Sequence, residues 1–194
     1  MTEYQFTKDW FAWAPEVWKQ LIPLLPERKS FLEIGSFEGR STVWIVENMM
    51  EGDGNITCID TWEGGEEHGN EDMGTVEERF THNMQLLQSK KACGLSARQG
   101  KSVDELAACI AAEEKYDFIY IDGSHTAPDV ITDACMAWPL LKQGGLMVFD
   151  DYMWGNPRDP LHRPKIAIDA FTTIFGETAE VIRIGYQLVV RKNR

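Results

Sequence analysis

Residues 30–42 constrain this chain most, because they join a short apolar run, a glycine turn and the start of a helical pattern. Three of the four residues 31–34 are apolar and predict a buried strand, which Gly35 follows directly. A helical pattern opens after Gly39. Glycine permits unusual dihedral angles and close backbone approach, and a helix N-terminus offers unpaired N–H groups and a partial positive charge. The stretch therefore predicts a shelf for a polar ligand group at the carboxyl end of a first strand.

Glu33 occupies the position at which a dinucleotide-binding Gly-x-Gly-x-x-Gly motif has its first glycine. A carboxylate there repels a pyrophosphate and attracts an ammonium group. The sequence Glu-Ile-Gly-Ser-Phe-Glu-Gly-Arg-Ser-Thr at 33–42 resembles the first motif of class I S-adenosylmethionine-dependent methyltransferases. In particular, it is similar to the branch that includes catechol O-methyltransferase and the family-24 methyltransferases. A strand–turn–helix corner without a ligand is the alternative. The resemblance implies that these residues contact the cofactor, S-adenosyl-L-methionine: Glu33, Gly35, Ser36, Phe37, Gly39 and Ser41.

Two further predicted strands end in turns that carry candidate cofactor contacts. The second strand, over 56–59, ends at Asp60, where an acidic residue is placed to accept both hydroxyls of an adenosine ribose. Dinucleotide enzymes share this feature, so it indicates a nucleoside ligand without choosing among them, and a loop-capping carboxylate is the alternative. The resemblance places the turn after the third strand beside the adenine, which makes Gly100 and Ser102 candidate contacts.

The fourth and fifth predicted strands, over 116–121 and 146–149, end in acidic residues. In catechol O-methyltransferase-like enzymes, oxygen ligands at these places hold a magnesium ion. The resemblance implies that Asp122, Asp150 and Asp151 bind Mg²⁺ or another divalent cation, with Asp151 in place of the family's asparagine. Such an ion would bind a substrate hydroxyl and lower its pKa. Acidic loop caps without a metal are the alternative.

His125 stands three residues after Asp122, where the relatives place a lysine base. An imidazole has an unperturbed pKa of ~6.5, so it can take a proton near neutral pH. The resemblance makes His125 and Asp122 the catalytic candidates, and it also places Asp122 beside the cofactor. A helix cap or a neighbour of the adenine is the alternative for His125.

The rest of the chain alternates predicted strands with helices, and its ending is distinctive. Gly185 and Tyr186 are too few for a crossover helix, so the last two strands, over 178–184 and 187–191, form an antiparallel pair. We expect an α/β, Rossmann-like class I methyltransferase fold. It has a seven-stranded, mostly parallel sheet with an antiparallel last strand, helices on both faces and an N-terminal helical extension. Helices are predicted at about 15–25, 39–50, 76–89, 102–110, 128–142 and 165–175, with Gly144 and Gly145 ending the fifth.

Residues 1–194 are predicted as a single methyltransferase domain, with an N-terminal helical segment over 1–29. In that segment, Trp18 is expected to be buried in a helix over the sheet edge. The glycine-rich acidic loop over 61–74 is a candidate lid, and a solvated loop without a role is the alternative. Three aromatic residues either cover the sheet edge as well or wall a substrate pocket: Trp10, Phe11 and Trp13.

Composition excludes several classes of partner. The 194 residues carry a net charge of −12, which disfavours nucleic acid and anionic membranes. The four cysteines form no Cys-x-x-Cys pair, the N-terminus has no signal architecture, and no apolar run approaches the ~20 residues that span a bilayer. We therefore expect a cytoplasmic protein without a membrane or nucleic-acid partner, and a homodimer stays open.

The expected function is S-adenosyl-L-methionine-dependent O-methylation of a small hydroxylated molecule, assisted by a divalent metal if one binds. The alternatives are a Rossmann-type, nucleotide-dependent oxidoreductase and a non-catalytic S-adenosylmethionine-binding protein. The missing glycines at Glu33 and Phe37 and the antiparallel ending argue against the oxidoreductase. The aromatic segment and the histidines leave both a sugar-like and a phenolic methyl acceptor open.

Overall fold

The computed structural model describes residues 3–65 and 73–193, and a seven-stranded sheet forms its centre. The spatial order is β3-β2-β1-β4-β5-β7-β6. The first five strands pair in parallel, and β7 runs antiparallel to both β5 and β6. The predicted sheet with its antiparallel last strand is confirmed. The strands are β1 (Ser30–Ile34), β2 (Asn55–Asp60), β3 (Gly94–Gln99), β4 (Tyr116–Ile121), β5 (Leu141–Phe149), β6 (Ala179–Ile184) and β7 (Leu188–Lys192).

Helices cover both faces of the sheet, as predicted, and several continue into tighter or wider turns. A π-helical turn, Ile45–Met49, extends α2 to nearly the predicted length. Short 3₁₀ turns follow α1 at Ile22–Leu24 and α5 at Trp138–Leu140, and others lie at Met73–Thr75 and Pro160–His162. Within the described ranges, every helix falls short of the length and apolar character needed to cross a membrane. The α-helices are α1 (Ala14–Leu21), α2 (Arg40–Trp44), α3 (Val76–Lys90), α4 (Ser102–Ala111), α5 (Ala127–Ala137) and α6 (Lys165–Ile174).

The core has one layer on each face of the sheet, and β4 shows how its residues divide between them. Phe118 and Tyr120 join the layer beneath α1, α2 and α3, whereas Ile119 and Ile121 join the layer beneath α4, α5 and α6. This follows from the alternation of side chains along a strand. Trp18 of α1 is fully buried in the first layer, as predicted.

The predicted fifth helix over 128–142 is wrong at its end. The helix stops at Ala137, because Pro139 has no N–H group to continue the helical hydrogen bonds. Gly144 and Gly145 therefore lie inside β5 rather than after a helix. The pairing register of β4 and β5 shifts where these glycines lie. A Cβ atom on Gly145 would lie 2.8 Å from a carbonyl oxygen of β4, so the two strands approach closely there.

The N-terminal segment is tied to the glycine turn after β1 through one buried carboxylate. Glu38 accepts hydrogen bonds from the backbone N–H and the hydroxyl of Thr7, both at 2.6 Å. It also pairs with Arg79 of α3 at 2.5 Å. Because Glu38 is almost fully buried, these charge-assisted bonds hold the segment close to the carboxyl edge of the sheet.

Candidate active site

One cavity of about 880 Å³ extends along the carboxyl edge of the sheet. Its wall contains Gly35 after β1, Asp60 at the end of β2, Ser102 after β3 and Asp122 after β4. The carboxyl ends of parallel strands meet at one edge, so residues far apart in sequence come together there. The volume lies within the range usual for small-molecule sites, roughly 300–1,000 Å³. The structure therefore brings most of the predicted site residues to one place.

Gly35 is required by the close approach of β4. Its φ is +84°, and a Cβ atom on it would lie 1.9 Å from the carbonyl oxygen of Asp122. Its N–H donates to Ile59 at 2.8 Å, and the Asp122 N–H donates to Ile34 at 2.8 Å. These bonds continue the sheet into the turn and place the backbone of Gly35 in the cavity wall.

Gly39 has a different task from the one predicted. Its φ is +78°, and a Cβ atom on it would lie 2.6 Å from Met84 of α3. It precedes α2 and lies outside the cavity wall, whereas its neighbours Ser36, Phe37 and Ser41 border the cavity. Gly39 therefore lets α3 pack against the turn, and the predicted direct contact with a cofactor does not fit its position.

Glu33 is also placed away from the cavity wall. It is fully buried in β1, and its carboxylate accepts hydrogen bonds from Ser41 at 2.5 Å and from Thr42. Burial raises the pKa of this carboxyl group. The predicted direct contact of Glu33 with an ammonium group is not supported, because Glu33 is fully buried and does not border the cavity. Its role in this structure is to orient Ser41, which does face the cavity.

Asp60 faces the cavity and also caps the glycine turn, so both interpretations of this residue apply. One oxygen accepts from the backbone N–H groups of Ser36 and Phe37 at 2.8 and 2.7 Å, and the other accepts from Trp62 at 2.7 Å. A carboxylate has about four acceptor positions. About one position therefore stays open for a ligand hydroxyl, rather than the two that were predicted.

The turn after β3 forms the opposite end of the cavity wall. Gly100 donates its N–H to the backbone carbonyl of Asp60 at 3.0 Å, and Ser102 begins α4. Both residues border the cavity, as does Gly64 from the predicted lid. Half of that lid, 66–72, lies outside the described residues, so the lid stays a prediction.

Three potential ligand groups meet at the β4–β5 end of the cavity. Carboxylate oxygens of Asp122 and Asp151 and a ring nitrogen of His125 all lie within 4.8 Å of one another. Among them, His125 Nε2 lies 2.8 Å from Asp151 Oδ2. Asp151 has a left-handed backbone with φ of +54°, a conformation that aspartate and asparagine tolerate better than other side chains.

Asp150 is held by protein groups instead of joining this trio. Its Oδ2 accepts from the amide of Gln187 at 2.9 Å and from the hydroxyl of Tyr120, and its Oδ1 accepts from the Asp151 N–H at 2.7 Å. The predicted metal-ligand set is therefore corrected: His125 stands in the donor set where Asp150 was expected. Two carboxylates and an imidazole suit a divalent cation, so these residues fit a metal.

A buried hydrogen-bond chain connects this acidic end to α1. The Tyr120 hydroxyl also lies 2.8 Å from Asp122 Oδ2, so a single hydroxyl sits between two carboxylates. Burial and the charges of Asp150 and Asp151 raise the pKa of Asp122 well above its usual value. From Asp150 the hydrogen bonds continue to the side-chain amide of Gln187. The amide oxygen of Gln187 in turn accepts from the indole N–H of Trp18 at 2.8 Å.

Sequence reasoning missed Tyr120 and Gln187 as parts of the site. Tyr120 lies inside an apolar strand and reads as a core residue. Tyr120 and Asp122 are two residues apart, and residues so spaced share one face of a strand. This spacing was the signal that could have placed Tyr120 beside Asp122. For Gln187 there was no local signal, since its partners lie on distant segments.

Aromatic side chains form the remaining wall beside the acidic end. The rings of Trp10 and Phe37 are 5.0 Å apart, and Trp13 packs edge-on against Tyr186 at 5.2 Å. The His125 ring lies 4.5 Å from Trp154. Three N-terminal aromatic residues thus border the cavity, as the pocket interpretation predicted: Trp10, Phe11 and Trp13.

A family model described as a methyltransferase domain matches residues 32–152, which is more than half of the chain. The chain belongs to this methyltransferase family. The predicted membership in the family-24 type of class I S-adenosylmethionine-dependent methyltransferases is thereby confirmed. The same match removes the support for an oxidoreductase. No curated protein shows significant sequence similarity to the chain.

Solved structures of methyltransferases share the fold at low sequence identity. An O-methyltransferase from Bacillus cereus in complex with SAH is 17% identical, with a TM-score of 0.68 over 97% of this chain and 84% of the other. TomG from Streptomyces achromogenes, in complex with SAM, is 19% identical, with a TM-score of 0.67 over 93% and 81%. MycE of the mycinamycin pathway, in complex with Mg and SAH, is 18% identical, with a TM-score of 0.59 over 98% of this chain and 51% of its own. Each shows a similar fold.

Proposed function

We propose that this methyltransferase uses S-adenosyl-L-methionine to methylate a hydroxyl group of a small molecule. The observation that carries the proposal is the His125–Asp151 pair, 2.8 Å apart, in the same cavity as the glycine turn. The pair offers a way to deprotonate an acceptor, and the turn offers a shelf for a cofactor. The acidic chain and the size of the cavity favour a small acceptor over a nucleic acid.

The cofactor fits along the edge of the sheet in a definite direction. Its amino-acid end would lie on the turn at Gly35 and Ser41, and its ribose would donate a hydroxyl to the open position on Asp60. The adenine would then lie toward Gly100 and Ser102. The fit is supported by Gly35 itself, because any side chain there would collide with the end of β4.

The chemistry needs little acid catalysis, because a sulfonium group leaves as a neutral thioether. An acceptor oxygen forms a bond to the methyl carbon while the carbon–sulfur bond breaks in line with it. The acceptor must lose its proton, and His125 is placed to take it. Nδ1 of His125 is buried in the protein, so we assign the proton to Nε2, which lies 2.8 Å from Asp151 Oδ2. The proton moves to Nε2, and Asp151 accepts a hydrogen bond from the resulting imidazolium.

A divalent cation would be held by Asp122, His125 and Asp151. Such an ion, when bound, polarises an acceptor hydroxyl and lowers its pKa. His125 cannot offer one lone pair both to a cation and to a proton, so metal binding would assign it the task of a ligand. Chelation therefore separates two versions of the same proposal.

The test is turnover and cofactor binding in His125→Ala. We expect the rate of S-adenosylhomocysteine release to fall by ~10²–10⁴, the usual contribution of a general base. The affinity for S-adenosylhomocysteine, measured by calorimetry, should change little. His82→Ala is the matched control, because His82 lies on α3 outside the cavity wall. A panel of phenols and sugars serves as the source of acceptors.

Unchanged turnover in His125→Ala would remove the base from the proposal and leave His125 as a partner of Asp151 in the cavity wall. Full activity after exhaustive chelation would exclude a required metal and leave the carboxylates as hydrogen-bond acceptors for the substrate. Tight cofactor binding without turnover on any acceptor would instead support a non-catalytic binding protein.

A further inference from the structure

The edge of the sheet at β6 is an open strand with apolar side chains in solvent. β6 is the last strand in the spatial order, so one side of it has no neighbouring strand in the described part of the chain. The N–H and C=O groups along such an edge can form hydrogen bonds with another strand. Two of its apolar side chains are exposed, Val181 with 39% and Ile184 with 68% of their surface in solvent. The edge therefore offers both backbone hydrogen-bonding groups and apolar surface.

A bulge in β6 brings two opposite charges to one face of the sheet. Ile182 is the extra residue where the pairing register with β7 shifts. Before the bulge Glu180 pairs with Arg191 of β7, and after it Arg183 pairs with Val189. These partners are two residues apart on β7, so they share one face of the sheet, and Glu180 and Arg183 share it with them.

The opposite face of β6 carries its apolar side chains, Ala179, Val181 and Ile184. Their partners are alternate residues of β7, and two of these, Val190 and Leu188, belong to the core layer beneath α4, α5 and α6. The helices leave Val181 and Ile184 partly uncovered on this face. The strand edge is therefore amphipathic, with exposed apolar groups on one face and a pair of opposite charges on the other.

This edge is complementary to a second copy of itself. With the bulge residue skipped, a two-fold axis through Val181 places Glu180 opposite Arg183 of an antiparallel second copy, and Ala179 opposite its Ile184. Each face of the sheet then meets the same face of the copy. Because a bulge protects an edge strand from pairing with ordinary strands, a strand that carries the same bulge is the matched partner.

The charges of β6 are available for such a contact. Within residues 3–65 and 73–193, Arg183 forms no ion pair, and Glu180 makes a loose contact with Arg191 at 3.9 Å. Both side chains reach solvent. On the apolar face, α6 adds two exposed side chains, Ile166 and Ile174. Charge complementarity and apolar surface thus favour the same occupant, a second copy of this chain.

We propose that β6 is the interface of a two-fold homodimer in which the β6 strands of two copies pair in antiparallel fashion and join the two sheets. The contact is isologous, so it closes at two copies. The turn that follows β6 carries Tyr186 into the cavity wall. The interface therefore adjoins the site without using its catalytic groups, and the dimer does not depend on the proposed reaction.

The first test is the oligomeric state of the unaltered protein. Sedimentation equilibrium between about 1 and 100 µM should show monomer and dimer without larger species. Hydrogen exchange adds a measurement without variants: the amides of β6 should exchange more slowly at high protein concentration, whereas those of β3, at the other edge, should not change. A monomer throughout this range, growth beyond a dimer, or exchange in β6 that ignores concentration would overturn the proposal.

The second test reverses the charges. Glu180→Arg and Arg183→Glu each turn two attractive contacts across the axis into repulsive ones, so each should weaken dimerisation by about 10–100-fold. The double variant Glu180→Arg/Arg183→Glu restores opposite charges and should return to within about threefold of the unaltered protein. Glu78→Arg is the matched control, because Glu78 is exposed on α3, far from β6.

The pattern across the variants decides the outcome. Dimerisation that both single variants leave unchanged would assign the contact to another surface and overturn the proposal. Weak dimerisation in the double variant as well would overturn the pairing of Glu180 with Arg183. Weakening by Glu78→Arg to the same extent would show a general charge effect and overturn it too. Loss in each single variant with recovery in the double variant supports the two-fold β6 interface.

Discussion

The burial of Asp133 predicts that Asp133→Asn stabilises the ligand-free protein at pH 8. Burial, reinforced by Asp129 on the same helix, α5, raises the pKa of Asp133 from 3.8 to about 6. Each tenfold change in the proton equilibrium corresponds to about 1.4 kcal/mol, so the charged form is disfavoured by about 3 kcal/mol. Asparagine removes the charge while keeping a polar group for Ser102. The free energy of unfolding should therefore rise by up to about 3 kcal/mol.

The sign of the pH dependence follows from the raised pKa. Well below pH 3.8, Asp133 is protonated in both the folded and the unfolded protein, so the substitution should change little. The stabilisation by Asp133→Asn should then grow as the pH rises from about 4 through 6 and stay constant above about 7. Urea unfolding of the two proteins at pH 4.5, 6 and 8 measures this difference directly.

A matched variant and the shape of the curve make this prediction refutable. Asp129→Asn removes an exposed charge on the same helix and should change the free energy of unfolding by less than about 1 kcal/mol. A difference for Asp133→Asn that is the same at pH 4.5 and pH 8 would show that its charge is not buried in the folded protein. Destabilisation at pH 8 would refute the reasoning outright.

Three further substitutions test the architecture of the site. Gly35→Ala should destabilise the protein by more than about 3 kcal/mol in urea unfolding, because its Cβ atom would lie 1.9 Å from a backbone oxygen; Gly185→Ala, whose nearest atom would be 3.6 Å away, should cost less than about 1 kcal/mol. Tyr120→Phe should lower turnover as well as stability, whereas Tyr116→Phe, on the same strand but outside the cavity wall, should lower stability alone. Asp60→Asn keeps one oxygen for the amides of the glycine turn but turns an NH2 group toward the backbone N–H of Trp62, so the melting temperature should fall modestly while S-adenosylhomocysteine affinity falls by about tenfold or more. Affinity equal to that of the parent protein would exclude the ribose contact.

The sequence predicted where the site lies better than how its groups are shared. Short apolar runs that end in glycine or aspartate indicate the carboxyl ends of parallel strands, and such ends meet by topology. That is why Gly35, Asp60 and Asp122 were correctly expected at one edge. Glu33 was misplaced because its direction depends on hydroxyl groups of α2, which form partners only once the turn has folded.

The end of α5 shows a second kind of error. The pair Gly144–Gly145 looked like a helix stop, but Pro139 ends the helix earlier. The glycines instead allow β5 to pass close to β4, where a Cβ atom on Gly145 would lie 2.8 Å from the carbonyl oxygen of Asp117. Such a requirement arises from two strands together and has no signature in either one alone.

The acidic pair after β5 illustrates why identical neighbouring side chains acquire different tasks. Asp150 continues the strand inward and meets Tyr120 and Gln187, whereas the left-handed backbone of Asp151 turns its carboxylate toward His125. Aspartate tolerates that backbone, so the same residue type serves at both positions. Asp150 anchors the acidic end to buried protein groups, and Asp151 stays beside the histidine. The orientation of His125 therefore depends on long-range packing that reaches Trp18 through Gln187, which explains why an N-terminal helix is part of this site.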